Sequence, residues 1–576
     1  MSTSPSIPPI TVRCVVSGLV LSLVLCAMNS YLTLSFGVIE EGPTIAALFF
    51  FAIFFLSKTK ITTTEMVIVA TMGSAGGSLG FISNFYAAKA MTGVPYDVVD
   101  MTLFGIVSSL VGLVMAIPLR HILILRDNLP WPGSRAVETV IRALVEQGDR
   151  RQPLILGVTF AVCATYVILN TSGFNIVPEE THLPILAVFG GAIAWSPFAI
   201  GGSYLMGMRT CIGFLVGAVA LMVLASHIPI LPATEPAGYY WPGVGWYDDL
   251  QASPHKYYWP GLGFLVASGL TMMAINWRTI TSAFTSILAL GSKADDDDPT
   301  LSGRTMLSFA VIAFVSTVLV LGWRFAIPFW MTTVLILIGG LVQNIIATRA
   351  AAQTAFNPAR VMGILLQGVT SVMPGGAPAA INLTGAGFVA GSGAQASLLT
   401  ADLVYGRAFK VPSRWQFWTQ TATVVPCAII SALAFVMINE DKPLLLNPPE
   451  GVAAHPAPVA KMWAQSALLF EKGADALPSG AFTWLLIGAA VGVVYTLLEA
   501  IPRLRPWLPD GLGIGLGLVL SVSLGLSFFI GGFLLWIVLG RWFKIGDTTL
   551  TTIAVGSIVA EGIGGVLQSV LLKLVN

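Results

Sequence analysis

From Cys14 to Phe36 the chain carries no charged side chain, and comparable apolar runs recur along most of its length. A stretch of about 20 predominantly apolar residues is long enough to cross a bilayer as a helix. Runs of this kind lie at 14–36, 43–57, 97–118, 153–170, 184–200, 210–226, 260–290, 305–323, 327–347, 416–438, 481–498, 511–528 and 548–574. Weaker apolar pieces lie at 62–82, 361–373, 381–400 and 530–543. Together they predict about 14–16 transmembrane or re-entrant helices. Of 576 residues, 55% are hydrophobic and 10% charged, with a mean hydropathy of +0.83. Soluble domains carry about 25% charged residues. The fold class is therefore an all-α polytopic integral membrane protein.

The run that follows Arg13 is too long for a cleavable signal and reads as a retained first span. Residues 1–13 form a cytoplasmic N-terminal tail, and 14–576 a single transmembrane domain with no loop long enough for a soluble one. Orientation follows from the basic residues. Arg120, Arg126, Arg135, Arg142, Arg150 and Arg151 place their segment in the cytoplasm, and Lys58, Lys60, Arg503 and Arg505 agree. Residues 227–259 and 439–480 are then extracytoplasmic, with 459–471 suited to lie along the interface. Trp241, Trp246, Tyr257, Tyr258 and Trp259 read as interfacial anchors, and 291–304, with its run of four aspartates, as an acidic cytoplasmic loop. The net charge of +1 gives no reason to expect a nucleic-acid partner. Five scattered cysteines and five scattered histidines suggest no metal site, and no cofactor is implied.

Glycine and proline interrupt membrane helices only where protein or water satisfies the freed backbone groups. Two regions concentrate them: 70–95, with Gly73, Gly76, Gly77, Gly80 and then Lys89, and 355–406, with Pro358, Pro374, Gly375, Gly376 and Pro378. Interrupted segments in corresponding halves are the sequence sign of internal repeats and a transporter binding site. The competing reading is close packing of helices through small residues. Packing alone does not explain Asn357, Asn382, Gln395 and Asp402 in the second region, so broken helices around a site are expected there. Acids at membrane depth are costly and usually paired or functional. Asp402 and Glu561 are accordingly either proton carriers or members of permanent ion pairs. Arg209 falls in a glycine-rich turn, while Glu138 and Glu499 read as surface or capping residues.

Several of these segments resemble blocks of the oligopeptide transporter family, which carries peptides and, in its yellow-stripe-like branch, metal chelates. The similar stretches are AMNSYLTLSFGVIEEG, SAGGSLGF, LPWPGSRAVETVIRA, LMGMRTCIGFLVGA, YWPGLGFLVASGLT and SIVAEGIGGVL, spread from the first span to the last. The most specific match is DLVYGRAFKVPSR, where Asp402, Leu403, Gly406, Lys410, Pro412 and Arg414 keep the order and spacing of the peptide branch. Ser413 replaces a proline there, and Gly406 stands where the yellow-stripe-like pattern has a second acid. The Asn-Pro-Gly-Pro-Phe signature of the peptide branch is missing from the first half. The chain thus resembles a divergent, bacterial member of the family.

The resemblance implies a proton-driven secondary carrier in the cell membrane, working by alternating access on small peptides or on metal chelates, with a homodimer as in related carriers. The sequence has no phosphate-binding loop for ATP drive, and no zinc, aspartyl or Ser/His motif of an intramembrane enzyme. A passive channel built on glycine-rich hairpins is the other rival. Asn357, Asn382, Thr384, Ser392 and Gln395 are expected to line the site and bond substrate amides. Asp402 is expected to carry the proton or to balance a substrate amine, with Glu561 as second proton candidate. Gly76, Gly77, Pro374, Gly375 and Gly376 are assigned structural or gating roles. Lys410 and Arg414 are assigned to fixing one helix end at the headgroups.

Overall fold

A computed structural model describes residues 10–37, 42–56, 60–93, 97–146, 151–170, 176–178, 180–183, 192–227, 258–275, 277–278, 303–354, 359–441, 444, 455, 457–473 and 481–575. Among them, 10 helices are long and apolar enough to cross a membrane: Val12–Phe36, Thr63–Met91, Val98–Arg126, Arg151–Asn170, Arg304–Arg324, Phe329–Ala352, Ser413–Glu440, Phe482–Glu499, Val522–Trp542 and Asp547–Gln568. Three shorter apolar helices, Pro43–Phe55, Met208–Val223 and Trp259–Met272, accompany them. The chain is an all-α polytopic membrane protein. Its described β structure is one antiparallel pair, Glu180–His182 with Ala192–Ala194.

The first glycine-rich region differs from the broken helix expected of it, while the second, among its described residues, is broken only at its Pro374–Pro378 turn. Residues 63–91 run as one helix, with no more than a local irregularity at Ile82 between Thr63–Phe81 and Ser83–Met91. Ala379–Ala408 is an uninterrupted helix of 30 residues. The break falls earlier, at 372–378, where Gly375 takes a left-handed φ of 77°. Glycine is a poor helix former in water, but in a bilayer the backbone has no better partner than itself, and small side chains let neighbouring helices approach.

Other expectations are also corrected. The predicted span 511–528 divides into Gly511–Gly517 and a helix from Val522 that continues as a π-helical segment to Trp542. Extended Ser521 separates them, its hydroxyl accepting from the amide of Leu524. The described end of 184–200 is the strand Ala192–Ala194 followed by the helix Pro197–Met206. Within the arginine-rich segment a π-helical turn prolongs the preceding helix to Arg126, and Pro132–Glu146 forms a separate helix. That helix buries Val137, Ile141 and Leu144 on one face and leaves its arginines outside. Helix Pro458–Lys472 does not lie along an interface, because Val459–Gln465 are buried within the protein. Trp259 is likewise buried rather than an interfacial anchor. Trp241, Trp246, Tyr257 and the acidic run at 295–298 lie outside the described residues.

The chain falls into two compact units. The first comprises Met1–Thr33, Gly37–Pro153 and Trp277–Val436. Its centre is helix Ala379–Ala408, in which every residue from Asn382 to Thr400 is buried. Around it pack Thr63–Phe81, Val98–Leu119, Pro132–Glu146, Asn344–Thr354 and Ala359–Ser371. Gly112 lies directly against Ser392 and Gln395, and Gly387 against the Phe85 ring, which itself stacks on Phe104 at 4.3 Å.

The second unit comprises Leu34–Phe36, Leu154–Asn276 and Met437–Asn576. In it, Gly213 and Gly217 on helix Met208–His227 meet Gly513 and Gly517, so two matched small-x-x-x-small faces bring backbone onto backbone. Ala218, Leu221, Phe264, Ile514, Leu518 and Val522 form the core beside that crossing.

Candidate functional site

The two glycine-rich stretches that the sequence singled out pack against each other in the first unit. Lys89 Nζ donates to Thr384 Oγ1 at 3.3 Å, Ser78 Oγ donates to Gln395 Oε1, and the hydroxyls of Thr71 and Tyr405 lie 3.4 Å apart. Numbers fall along one helix as they rise along the other, so the helices run antiparallel. Gln395 and Asp402 stand 11 and 18 residues beyond Thr384, close to three and five whole helical turns. Thr384, Gln395 and Asp402 therefore form one stripe, directed at Thr63–Met91. Near its end, Gln416 Nε2 donates to both Thr71 Oγ1 and the Asp402 carbonyl, each at 2.8 Å.

The other candidates sit elsewhere on the same helix. Ser392 is a quarter turn away, and its hydroxyl donates to Asn344 Oδ1 at 3.2 Å. Gln343, at the end of the π-helical segment Leu335–Gln343, donates to the Val389 carbonyl at 3.4 Å. Asn382 faces nearly opposite to the stripe and donates to the Ala377 carbonyl at 3.1 Å. Asn357 lies outside the described residues. The structure thus brings Thr384, Gln395 and Asp402 onto one seam, sets Ser392 beside it and directs Asn382 away.

The acids buried among the described residues are Glu65, Asp402, Glu499 and Glu561. Glu65 accepts from Arg13 Nε at 2.7 Å and from Thr11, and it closes a capping box with Thr62. Glu499 accepts from Arg209 at 2.6 Å and from the Gly511 amide, the first of its helix, so it acts as the capping residue expected. Arg209 also donates to the Leu508 carbonyl, just beyond the turn made by left-handed Gly207. Glu561, in the second unit, accepts from Ser196 Oγ at 2.7 Å and from the Phe198 amide at 2.6 Å. Those donors form the N-terminus of Pro197–Met206, where a carboxylate complements the helix dipole. Asp402, 1% exposed, lies on the central helix of the first unit with the polar stripe.

Among the structural assignments, Gly76 packs on the backbone of Ser22 and Cys26, and Gly376 on the Thr370 carbonyl. Gly77 is buried in the same helix as Gly76. Pro374 and Gly375 form the turn before the central helix, which Pro378 opens. Lys410 and Arg414 are both exposed. Lys410 makes the turn itself, at φ 57°, and the Val411 amide closes it on the Gly406 carbonyl at 2.8 Å.

Sequence reasoning noted Lys89 without giving it a role, and missed Thr71, Ser78, Asn344 and Gln416. Lys89 is 4% exposed, and its ammonium lies 5.2 Å from the Phe325 ring centroid. A helical spacing of three to four residues links Thr71, Ser74 and Ser78, and likewise Gln416 and Gln420. Only a continuous helix turns such spacings into one face, and the glycines argued against continuity.

Many apolar helices around a core that buries carboxamides, hydroxyls and a lysine define a polytopic membrane protein. Residues 9–572 match the family model described as OPT oligopeptide transporter protein, and the chain belongs to that family. No curated protein matches the chain.

Proposed function

We propose that the protein is a secondary carrier that couples a small peptide or peptide-like solute to a proton gradient by alternating access. The observation that carries this reading is the seam of uncharged donors and acceptors, Thr384, Gln395 and Ser78, on the helix that also buries Asp402. Carboxamides and hydroxyls match the N–H and C=O groups of a substrate amide, while a buried carboxyl group can take up and release one proton per cycle. Ser392, beside the seam, and Asn357 complete the proposed substrate set, while Asn382, which faces away from the seam and bonds the Ala377 carbonyl, is left out of it. In this reading the ends that carry Arg13, Lys410 and Arg414 face the cytoplasm.

Glu561 is the second coupling candidate. Its two donors make it the weaker one, because they favour a carboxylate that stays in place as a helix cap.

The test is uptake into proteoliposomes against a panel of short peptides and metal chelates, at two pH values. Saturable, gradient-dependent uptake of peptides supports the proposal, and preference for chelates would move the substrate to the family's other branch. Asp402→Asn should abolish accumulation driven by the pH gradient. Retention of full proton-driven uptake by both Asp402→Asn and Glu561→Gln would exclude both as coupling residues.

A further inference from the structure

A different face of the central helix, the turn holding Val389, Ser392 and Gly393, meets the span Phe329–Ala352. That span brings two consecutive carboxamides to this one turn. Gln343 Nε2 donates to the Val389 carbonyl at 3.4 Å, and Ser392 Oγ donates to Asn344 Oδ1 at 3.2 Å. A β-carbon at Gly393 would sit 3.3 Å from both of those carboxamide atoms, so the two amide heads border the same glycine. Consecutive residues of an α-helix point about 100° apart and seldom serve one contact. Here the π-helical segment Leu335–Gln343 ends at the first carboxamide, and the α-helix Asn344–Thr354 begins at the second. Widened turns of this kind recur at functional sites. Gly339, in the same segment, lies directly against Val389 and lets the two helices close up.

Each carboxamide has one end bonded and one left over. The Val389 carbonyl can only accept, so the Gln343 atom against it is the amide nitrogen, and the acceptor Oε1 is left. On Asn344 the donor Nδ2 is left. Gln343 is 2% exposed and Asn344 is fully buried, yet neither Gln343 Oε1 nor Asn344 Nδ2 has a hydrogen-bond partner among the described residues. Buried polar groups are nearly always bonded, and an unmade bond costs more than a made one gains. One acceptor and one donor beside a glycine complement a single peptide group, whose N–H donates and whose C=O accepts.

We propose that Gln343 and Asn344 clamp one peptide bond of the substrate, Gln343 Oε1 accepting from its N–H and Asn344 Nδ2 donating to its C=O. The inference rests on the reading of the protein as a carrier of peptides or peptide-like solutes. It extends the substrate set from Ser392 to the span Phe329–Ala352. It also names the group recognised there, a secondary amide and not a terminal charge or a chelated metal.

Binding of di-, tri- and tetra-alanine to the purified full-length protein, measured by calorimetry, tests this against analogues in which an ester oxygen replaces one peptide N–H at each position in turn. An ester keeps the carbonyl but has no proton for Gln343. One ester position should therefore weaken binding tenfold or more, and the others little. Gln343→Met should weaken the parent peptide by a similar factor and abolish that ester penalty. Asn344→Leu should weaken peptide and ester alike and leave the penalty in place, a split that a merely structural role would not produce. Thermal melts identify any variant that fails to fold, and the ester series on the unaltered protein needs no variant. If alanine peptides bind but no ester position costs affinity, or if folded Gln343→Met keeps the penalty, the clamp is wrong and the carrier reading stands. If none of the alanine peptides binds, the peptide reading fails and the clamp falls with it.

Discussion

At Gly76 a β-carbon would run into the carbonyl oxygen of Ser22 and sit 3.0 Å from the amide nitrogen of Cys26. Both are backbone atoms and cannot swing aside, so Gly76→Ala has to move one helix relative to the other. The expected cost is about 1–3 kcal/mol, read as a lower melting temperature in detergent, and an unchanged melt would refute the close approach. Glu561 is a different kind of residue, since its value lies in the groups it holds. Glu561→Gln keeps the volume and one acceptor oxygen but removes the charge at the N-terminus of Pro197–Met206. Charge-assisted bonds of this kind are worth about 1.5–3 kcal/mol. Faster amide exchange at Phe198 and Ala199 is expected, and no change there would show that the carboxylate is not a cap.

Among the elements, helix Pro132–Glu146 has the charge pattern to respond to pH. Glu138 lies between Arg135 and Arg142, at 2.9 Å from each. Partial burial works to raise its pKa, but the hydrogen bonds from Arg142 and Arg135 prevail and hold it below the ordinary 4.5. A carboxyl group with a lowered folded pKa stabilises fully above its unfolded value and loses that contribution as pH falls through the folded one. Exchange of the helix amides, corrected for its intrinsic pH dependence, should therefore stay constant at neutral and mildly acidic pH and rise only below 4.5. A rise that began near neutrality would point to another group. Asp127 behaves in the same sense. Burial opposes ionisation, yet Arg126 and Arg349 keep its carboxyl below the ordinary value, and the Arg349 bond at 2.5 Å ties the loop after Arg126 to helix Asn344–Thr354.

For the whole molecule, the membership of one family over residues 9–572 and the proposed cycle make one joint prediction. Proteoliposomes preloaded with unlabelled substrate should take up labelled substrate against its gradient, because an alternating-access carrier returns loaded. Large, unsaturable flux without such counterflow would favour a channel and exclude the cycle.

Much of this was legible in the residues, and where it was not, the reason is physical. Charge-free runs such as 14–36, 305–323 and 416–438 determine membrane-spanning helices by themselves, because an unpaired backbone in hydrocarbon has few other solutions. The order and spacing of Asp402, Gly406, Lys410 and Arg414 carried the family resemblance without any fold. Continuity of the glycine-rich helices was not legible, because glycine is used both where a helix breaks and where two helices touch. Only tertiary packing distinguishes these, by placing a neighbour's atoms where a β-carbon would go: Ser22 and Cys26 at Gly76, Asn29 at Gly80 and the Phe85 ring at Gly387. Pairing of Glu65 with Arg13 and of Glu499 with Arg209 also had to come from the tertiary structure, since those partners lie far apart in the chain. The sequence by itself determined that this chain lives in a bilayer and that a few polar residues, Asp402 and Glu561 among them, fall within its apolar segments. The tertiary structure decided which of them face one another, because hydrogen bonding acts over one contact while sequence spacing reports only along one helix.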